Sequence, residues 1–354
     1  MDIPVYNIYY MLCYAWGKLD EADVVEVDPI DSPELFDLFG KVLFSGMSYL
    51  FRRGLDRCYL SFNEETRTIR GRIDFNTTLK KGLLGQPRVY CTFDELNHNT
   101  LHNRILKSSI KNLIYYKNLD SKIRDDLIFV YRKLHGIEDL VLEKRHFGLV
   151  RLNRNNYFYD FLLKICELIF DNMFVSEVEG KSKFRSFIKD KDKMSYLFEE
   201  FIRKFYKIHL KNAMVKRDQI RWNMKSFDEK SEKYIPIMET DTSITFKDPK
   251  RKIVIETKYS KSIFQEQYNK KSIKSPNLYQ LYAYLKNLEG RGDHANKHCE
   301  GILLYAEVDQ KVDLKYFIDD HHVSVKTINL NQDWKNIHRD LLNIISPEMN
   351  DIFN

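Results

Sequence analysis

The segment IVIETKY, residues 253–259, constrains the fold of this chain more than any other. Ile253, Val254 and Ile255 form a short apolar run that is typical of a buried strand. Glu256 and Lys258 follow, and side chains two positions apart on a strand project from the same face. The pattern therefore predicts a core strand that presents an acid and a base together at its end.

A second predicted strand, PIMETDTSITF, lies just before this one and is joined to it by the short turn KDPKRK. Glu239 and Asp241 share a face of that strand by the same alternation. A hairpin that turns at Asp248 and Pro249 would set Asp241 opposite Glu256. The sequence thus predicts two facing carboxylates beside a lysine.

Two facing carboxylates repel each other unless a cation lies between them. Carboxylate oxygens suit a hard divalent ion such as Mg²⁺, which takes one or two carboxylates and often a substrate phosphate. With Lys258 beside them, Asp241 and Glu256 predict a site for phosphodiester hydrolysis. The plainer interpretation is a solvated salt bridge worth at most ~1 kcal/mol. The hairpin and the apolar run favour the site.

The segment NLYQLYAYL follows, within a helix predicted over about 275–288. Gln280 and Tyr284 are one turn apart and lie on one face of that helix. They are accessory candidates for the same site. The alternative is an ordinary amphipathic helix that packs on the sheet.

The whole chain reads as a mixed α+β protein that divides near residue 180. Residues 1–180 are predicted to form a helix-rich domain with short strands at 58–62, 68–75 and 88–93. A charged stretch, 176–193, is the predicted linker. Residues 181–354 are predicted to form a central mixed β-sheet flanked by helices.

Composition excludes several classes of function. Across 354 residues the sequence offers no apolar run long enough for a membrane span and no signal-peptide pattern at its start. Its five cysteines include no CxxC pair, which indicates free thiols and a cytoplasmic protein. The net charge of +6 is compatible with a polyanionic partner. No GxxxxGK[ST] loop occurs, so nucleotide binding of that type is not expected of this chain.

The hairpin and helix together resemble the PD-(D/E)xK nuclease motif. Asp241 matches its first acid, Glu256 its second acid and Lys258 its lysine, while Gln280 and Tyr284 match a Gln-x-x-x-Tyr element seen in many of these nucleases. Thr240 stands where the motif has proline, a position at which replacement is common. Four further segments make nearly the whole chain similar to McrC, the nuclease component of the McrBC restriction system: NIYYMLCYAW, IRGRIDF, FDELNHNTLHNRILK and MSYLFEEFIRKF.

The resemblance implies a Mg²⁺-dependent endonuclease for 5-methylcytosine-containing double-stranded DNA. It also implies a partner, the McrB-type AAA+ GTPase, which forms hexameric rings, binds GTP and recognises the methylated base. Residues 1–180 would then dock to the ring and stimulate GTP hydrolysis. Residues 181–354 would cut the DNA.

Within the site, Asp241 and Glu256 are expected to hold Mg²⁺, helped by the backbone carbonyl of Thr257. Lys258 is expected to orient the attacking water and to stabilise charge on the phosphate. Glu239 is an outer carboxylate or a rim salt bridge. Either Glu199 or Glu200, on the preceding helix, is a candidate accessory acid, and Glu199 is slightly favoured of the two. A solvated side chain is the alternative.

Lys270, Lys271 and Lys274 lie between the lysine motif and the Gln280 helix. They are candidates for phosphate contacts, which give affinity without sequence choice. A solvated loop is the alternative. Two other functions stay open: a scaffold that activates the ring without cutting DNA, and a stand-alone nuclease of the repair type.

Overall fold

The computed structural model describes residues 3–25, 34–173, 190–224, 228–260, 262–267, 270–306 and 310–346. Two compact units divide the chain: Asp20–Lys183, and Met1–Leu19 together with Phe184–Asn354. The predicted division near residue 180 lies close to the second of these boundaries. The opening helix, assigned from sequence to the first domain, groups instead with the C-terminal unit. Most of the predicted linker lies outside the described residues.

Helix α1, Val5–Trp16, opens the chain. The unit Asp20–Lys183 that follows combines helices with a small antiparallel sheet of order β1-β3-β2. Its core is formed by apolar side chains such as Leu43, Ile105 and Phe161, each fully buried. The elements are α2 Leu19–Val25, α3 Leu35–Arg53, β1 Cys58–Thr66, β2 Arg72–Ile73, α4 Phe75–Lys80, β3 Val89–Asn97, α5 Leu101–Tyr115, α6 Ser121–Lys133, α7 Lys144–Leu149 and α8 Phe158–Met173.

The strand expected over 68–75 is much shorter than predicted, because only Arg72–Ile73 pair with β3. Gly71 adopts a φ of 59°, in the left-handed region, and a side chain there would collide with the carbonyl of Thr92. Asp74 then caps α4 by accepting from the Thr77 amide at 3.1 Å. A left-handed glycine and a helix cap therefore override the β-type pattern.

The C-terminal unit is built on a six-stranded sheet. Its elements, in chain order, are α9 Lys191–His209, β4 Ala213–Lys216, β5 Gln219–Ile220, α10 Glu229–Glu232, β6 Met238–Glu239, β7 Thr242–Phe246, β8 Arg251–Lys258, β9 Phe264–Gln267, β10 Lys270–Ile273, α11 Ser275–Glu289, α12 His294–Lys297, β11 Glu300–Ala306, β12 Asp313–Ile318, β13 His321–Ile328 and α13 Trp334–Ile344.

Strand β8 lies inside this sheet, whose order is β12-β13-β11-β8-β7-β4. It pairs antiparallel with β7 and parallel with β11. Parallel and antiparallel neighbours occur in one sheet, so the predicted mixed sheet is confirmed. Ile253, Val254 and Ile255 are each fully buried, as expected of a strand covered on both faces.

Helix α11 covers the face of the sheet that carries Val254. Its Leu281 and Leu285 pack against Leu303 of β11 within one buried cluster. Gly301 permits this close approach, because a side chain there would lie 3.0 Å from both leucines. The predicted helix at 275–288 is confirmed, and it covers the end of β8 where the charged residues project.

Helix α1 is part of the same unit through aromatic packing on α9. The Tyr14 ring lies 5.5 Å from the rings of Phe201 and Phe205, centroid to centroid. At the other end of α1, the Asn7 amide donates to the carbonyls of Leu330 and Gln332, both at 2.8 Å. The N-terminal helix therefore completes the core of the C-terminal unit.

No helix in the described part of the chain combines the length and the apolar character that crossing a lipid bilayer requires.

We expect Phe201→Ala to destabilise the C-terminal unit by about 3–5 kcal/mol, because it leaves a cavity among the rings of α1, α9 and α13. Tyr196→Ala on the same helix is the control, since Tyr196 is 61% exposed and should change stability by less than about 0.5 kcal/mol. Urea unfolding followed by tryptophan fluorescence measures this unit selectively, because Trp16, Trp222 and Trp334 all belong to it. Equal midpoints for the two variants would contradict the packing described.

Candidate active site

The hairpin of β7 and β8 brings two acidic residues together. The ladder pairs Thr242 with Ile255, which sets Asp241 opposite Glu256 one step further along. This is the register predicted from the turn at Asp248 and Pro249. The strand preceding the turn differs from the prediction, however, because it is interrupted between β6 and β7.

The interruption follows from a change of neighbour. β6 pairs with β5, whereas β7 pairs with β4 and β8. Between them, the Thr240 amide donates to the carbonyl of Asp218 at 3.0 Å. The alternation that placed Glu239 on the face of Asp241 therefore does not run through this segment. The Glu239 carboxylate instead lies at the rim, 48% exposed and 3.8 Å from Arg217.

Asp241 is held at one carboxylate oxygen. Its Oδ2 accepts from the backbone amide of Thr257 at 2.8 Å and from the Thr257 hydroxyl at 2.7 Å. Both bonds go to the same oxygen, so Oδ1 is left for another ligand. Thr257 thus orients the first acid through groups on the strand that carries the second.

Glu256 is an acid in an apolar setting. Its side chain is 2% exposed, and Oε1 accepts from the ammonium of Lys258 at 2.7 Å. Oε2 is buried with no hydrogen-bond partner among the described residues. Burial raises the pKa of Glu256 to about 7, with a further contribution from the charge of Asp241, while Lys258 opposes the shift.

Lys258 connects the acids to α11. Its ammonium donates to the Gln280 side-chain carbonyl at 3.0 Å, and the Gln280 amide donates to the Tyr284 hydroxyl at 2.8 Å. That hydroxyl donates to the backbone carbonyl of Glu239 at 2.9 Å. Burial raises the pKa of Tyr284 to about 12, so it remains a donor at neutral pH. The predicted helix face therefore meets the predicted strand end in one continuous chain of hydrogen bonds.

Helix α9 supplies further carboxylates. Burial raises the pKa of Glu199, and the charge of Asp241 raises it further. The charge of Glu199 in turn contributes to the raised pKa of Glu256, so it acts on both members of the pair. Glu200 pairs with Arg203 and Arg217. Glu199, the slightly favoured candidate, therefore interacts electrostatically with both acids of the site.

Sequence reasoning missed the two arginines that hold these glutamates. Arg203 contacts Glu199 at 3.3 Å and Arg217 forms a short ion pair with the same carboxylate. Arg203 follows Glu199 by four positions on α9, a spacing that places them on one helix face and that was visible in the sequence. Arg217 lies just after β4 and carried no such signal.

The three candidate phosphate lysines lie on and after the β9–β10 hairpin. Lys271 is exposed. Lys274 is half-buried, and its ammonium donates to the Ser260 hydroxyl at 2.9 Å. Lys270 is in strand β10, but its side chain lies outside the described residues. Of the two lysines whose side chains are described, Lys271 is the better placed to meet a ligand from solvent.

Three comparisons with known proteins bear on this site. The sequence matches the family model described as McrBC 5-methylcytosine restriction system component over residues 6–306. It is 36% identical over 342 residues to the type IV methyl-directed restriction enzyme EcoKMcrBC of Escherichia coli (strain K12), covering 97% of each chain. Its fold is similar to a chain in the refined half-complex from the tetradecameric assembly of Thermococcus gammatolerans McrB AAA+ hexamers with bound McrC. That likeness has a TM-score of 0.62 at 18% identity and covers 97% of this chain and 76% of the other, so it shows a common fold.

The raised pKa of Glu256 should make the stability of the chain depend on pH in the absence of divalent metal. Because the pKa of Glu256 is raised from 4.5 to about 7 in the folded state, the folded chain holds a proton that the unfolded chain releases between these values. Stability should therefore fall as pH rises through that window, by on the order of 3 kcal/mol.

Glu256→Gln should remove most of this pH dependence. The measurement is urea unfolding in EDTA at pH 5 and pH 8, followed by tryptophan fluorescence. Glu266→Gln, at an exposed side chain on β9, is the control. Glu256 would not be the source of the pH dependence if Glu256→Gln and the unsubstituted chain lost equal stability between the two pH values.

Proposed function

This chain belongs to the family of McrBC 5-methylcytosine restriction system components, and on that basis we propose that it is the subunit that cuts DNA. The proposed reaction is Mg²⁺-dependent hydrolysis of a phosphodiester bond in methylated double-stranded DNA. The observation that carries the proposal is the buried Glu256 carboxylate, placed opposite Asp241, with one oxygen that has no hydrogen-bond partner in the described part of the chain.

The residues present fit a magnesium ion. A buried carboxylate oxygen without a donor is costly unless a cation or a proton satisfies it. In this site Asp241 would offer Oδ1 and Glu256 would offer Oε2, both hard oxygen ligands. No group of three or more His, Cys, Asp or Glu side chains in the described ranges could form a metal cage. Two protein carboxylates with water and a phosphate are the usual set for Mg²⁺.

The backbone carbonyl of Thr257 is the proposed third ligand. Thr257 donates its amide to the side chain of Asp241, and in an extended strand the amide and carbonyl of one residue point to the same side. Its carbonyl would therefore lie on the same side as the first acid. When bound, Mg²⁺ would supply Lewis-acid stabilisation of the phosphate and activate a water molecule.

Lys258 is the proposed residue for charge stabilisation. Its side chain is 23% exposed, so the ammonium could reach a phosphate oxygen while Glu256 and Gln280 hold it in place. There it would orient the attacking water and offset the negative charge that develops as the phosphorus–oxygen bond breaks. Gln280 and Tyr284 would act by positioning this lysine.

The partner follows from the family. The solved structure with the same fold contains McrC bound to McrB AAA+ hexamers, and we extend that arrangement to this chain. The unit Asp20–Lys183 would dock to a ring of AAA+ GTPase subunits and stimulate GTP hydrolysis, with GTP bound by the partner. The proposed complex would act in the cytoplasm, in keeping with the five free cysteines.

We expect Lys258→Ala to abolish cleavage while leaving stimulation of the partner's GTPase near normal, because the change removes a cation from the site without hollowing the core. Asp241→Ala should behave in the same way. Lys247→Ala, exposed in the turn at the opposite end of the hairpin, is the matched control and should cut normally.

The assay is cleavage of methylated supercoiled plasmid with partner, GTP and Mg²⁺, run beside a GTPase assay on the same samples. Cutting at the unsubstituted rate by Lys258→Ala would overturn the catalytic assignment. Cutting by this chain without its partner would favour the stand-alone nuclease instead, and GTPase stimulation without any cutting would favour the scaffold.

Lys271 is expected to contribute to DNA binding through a phosphate contact. Lys271→Ala should weaken binding equally for all sequences and should reduce the slope of log K against log salt by about 1. The measurement is fluorescence anisotropy with labelled duplex at several salt concentrations and without divalent metal. Lys247→Ala again serves as the control, and an unchanged slope for Lys271→Ala would remove this residue from the proposed surface.

A further inference from the structure

Arg203 meets the main chain at the point where the strand is interrupted. Its Nη1 donates to the backbone carbonyl of Asp241 at 3.1 Å. The side chain is 12% exposed, so the bond is largely shielded from water. Helix α9 thereby reaches the segment that carries the first acid of the proposed metal site.

The arginine is itself held in place from two sides. Its guanidinium contacts Glu199 at 3.3 Å and forms a short ion pair with Glu200. Arg217 contacts both of these carboxylates as well. A planar guanidinium with several fixed donors can bridge two acids and a carbonyl, which the single ammonium of a lysine does with less geometric control.

Asp241 depends on these contacts for its position. It lies between β6 and β7, outside the strands on either side, so regular ladder hydrogen bonds do not fix it. Thr257 holds the carboxylate of Asp241, and Arg203 holds its carbonyl. Two anchors on different elements therefore set the direction in which Oδ1 points.

We propose that Arg203 is a positioning residue that presents the carboxylate of Asp241 to the divalent cation. The inference rests on the proposed function, since it concerns the same metal site. Arg203 touches neither the cation nor the DNA in this scheme, and it acts through the main chain of Asp241. Residues that orient metal ligands typically change metal affinity by about 10–100-fold when they are replaced.

The direction in which cation affinity changes on replacing Arg203 distinguishes positioning from a purely electrostatic role and from a purely structural role. Removing a positive charge near acidic ligands would by itself tighten the binding of a cation, because it removes repulsion. A residue that only stabilised the fold would leave metal affinity unchanged in the folded chain. Loss of positioning would instead weaken cation binding.

The test is binding of Mn²⁺, a hard divalent ion that suits the same oxygen ligands. Mn²⁺ is titrated into the full chain without partner or DNA, and the free ion is measured by electron paramagnetic resonance. Arg203→Gln should raise the Mn²⁺ dissociation constant about 10-fold or more, and Arg203→Lys should raise it less. Arg339→Gln, at a side chain that is 68% exposed on α13, should leave it unchanged.

An unchanged or lower dissociation constant in folded Arg203→Gln would overturn the inference. If Arg203→Gln does not fold, Arg203→Lys is the deciding variant. A Mn²⁺ dissociation constant for Arg203→Lys equal to that of the unsubstituted chain would also overturn the inference. The proposed metal site itself is judged by other variants. Mn²⁺ binding that survives Asp241→Ala and Glu256→Ala would overturn the site regardless of Arg203.

Discussion

The burial of Glu256 beside Lys258 and opposite Asp241 is the interaction on which the rest of this site depends. An acid that is 2% exposed destabilises a fold unless its charge is compensated. Lys258 compensates one oxygen, and the other remains unsatisfied among the described residues. This buried, unsatisfied oxygen destabilises the metal-free chain, and the proposed divalent cation would compensate it.

The surrounding helices and strands position the two acids and the lysine. The interior position of β8 provides the burial, and α11 covers the same face while supplying Gln280 to the lysine. Asp241, the other acid, lies at the interruption between β6 and β7 and is therefore outside the sheet ladder. Thr257 and Arg203 then hold it from two elements. Glu256 is therefore placed by a regular strand of the sheet, and Asp241 by a short irregular segment between two strands.

The division of the chain into two units also bears on the proposed roles. The site lies wholly within the unit that combines residues 1–19 with 184–354. Helix α1 contributes buried aromatic surface to that unit, so the start of the chain supports the site-bearing core. The proposed ring-docking role is therefore left to Asp20–Lys183, which has its own helical core.

Local patterns in the sequence predict the apolar strand, the approximate hairpin register and the shared face of Glu256 and Lys258. These features follow from periodicity and turn position, which act over a few residues. Helical spacing also places Gln280 and Tyr284 on one face. The separation of β6 from β7 could be seen only in the fold, because it depends on which neighbour each strand pairs with.

The same holds for the residues that surround the acids. Arg217 and Glu199 are 18 positions apart and meet only because α9 packs on the sheet. The choice for Glu239 between an outer carboxylate and a rim salt bridge also needed the fold, since a strand interruption cannot be read from alternation alone. The placement of α1 with the C-terminal unit likewise required the fold, because aromatic packing between the two ends of a chain leaves no local pattern. Local geometry depends on neighbouring residues and can be predicted from them. Strand pairing and packing between distant segments depend on the contacts of the whole core.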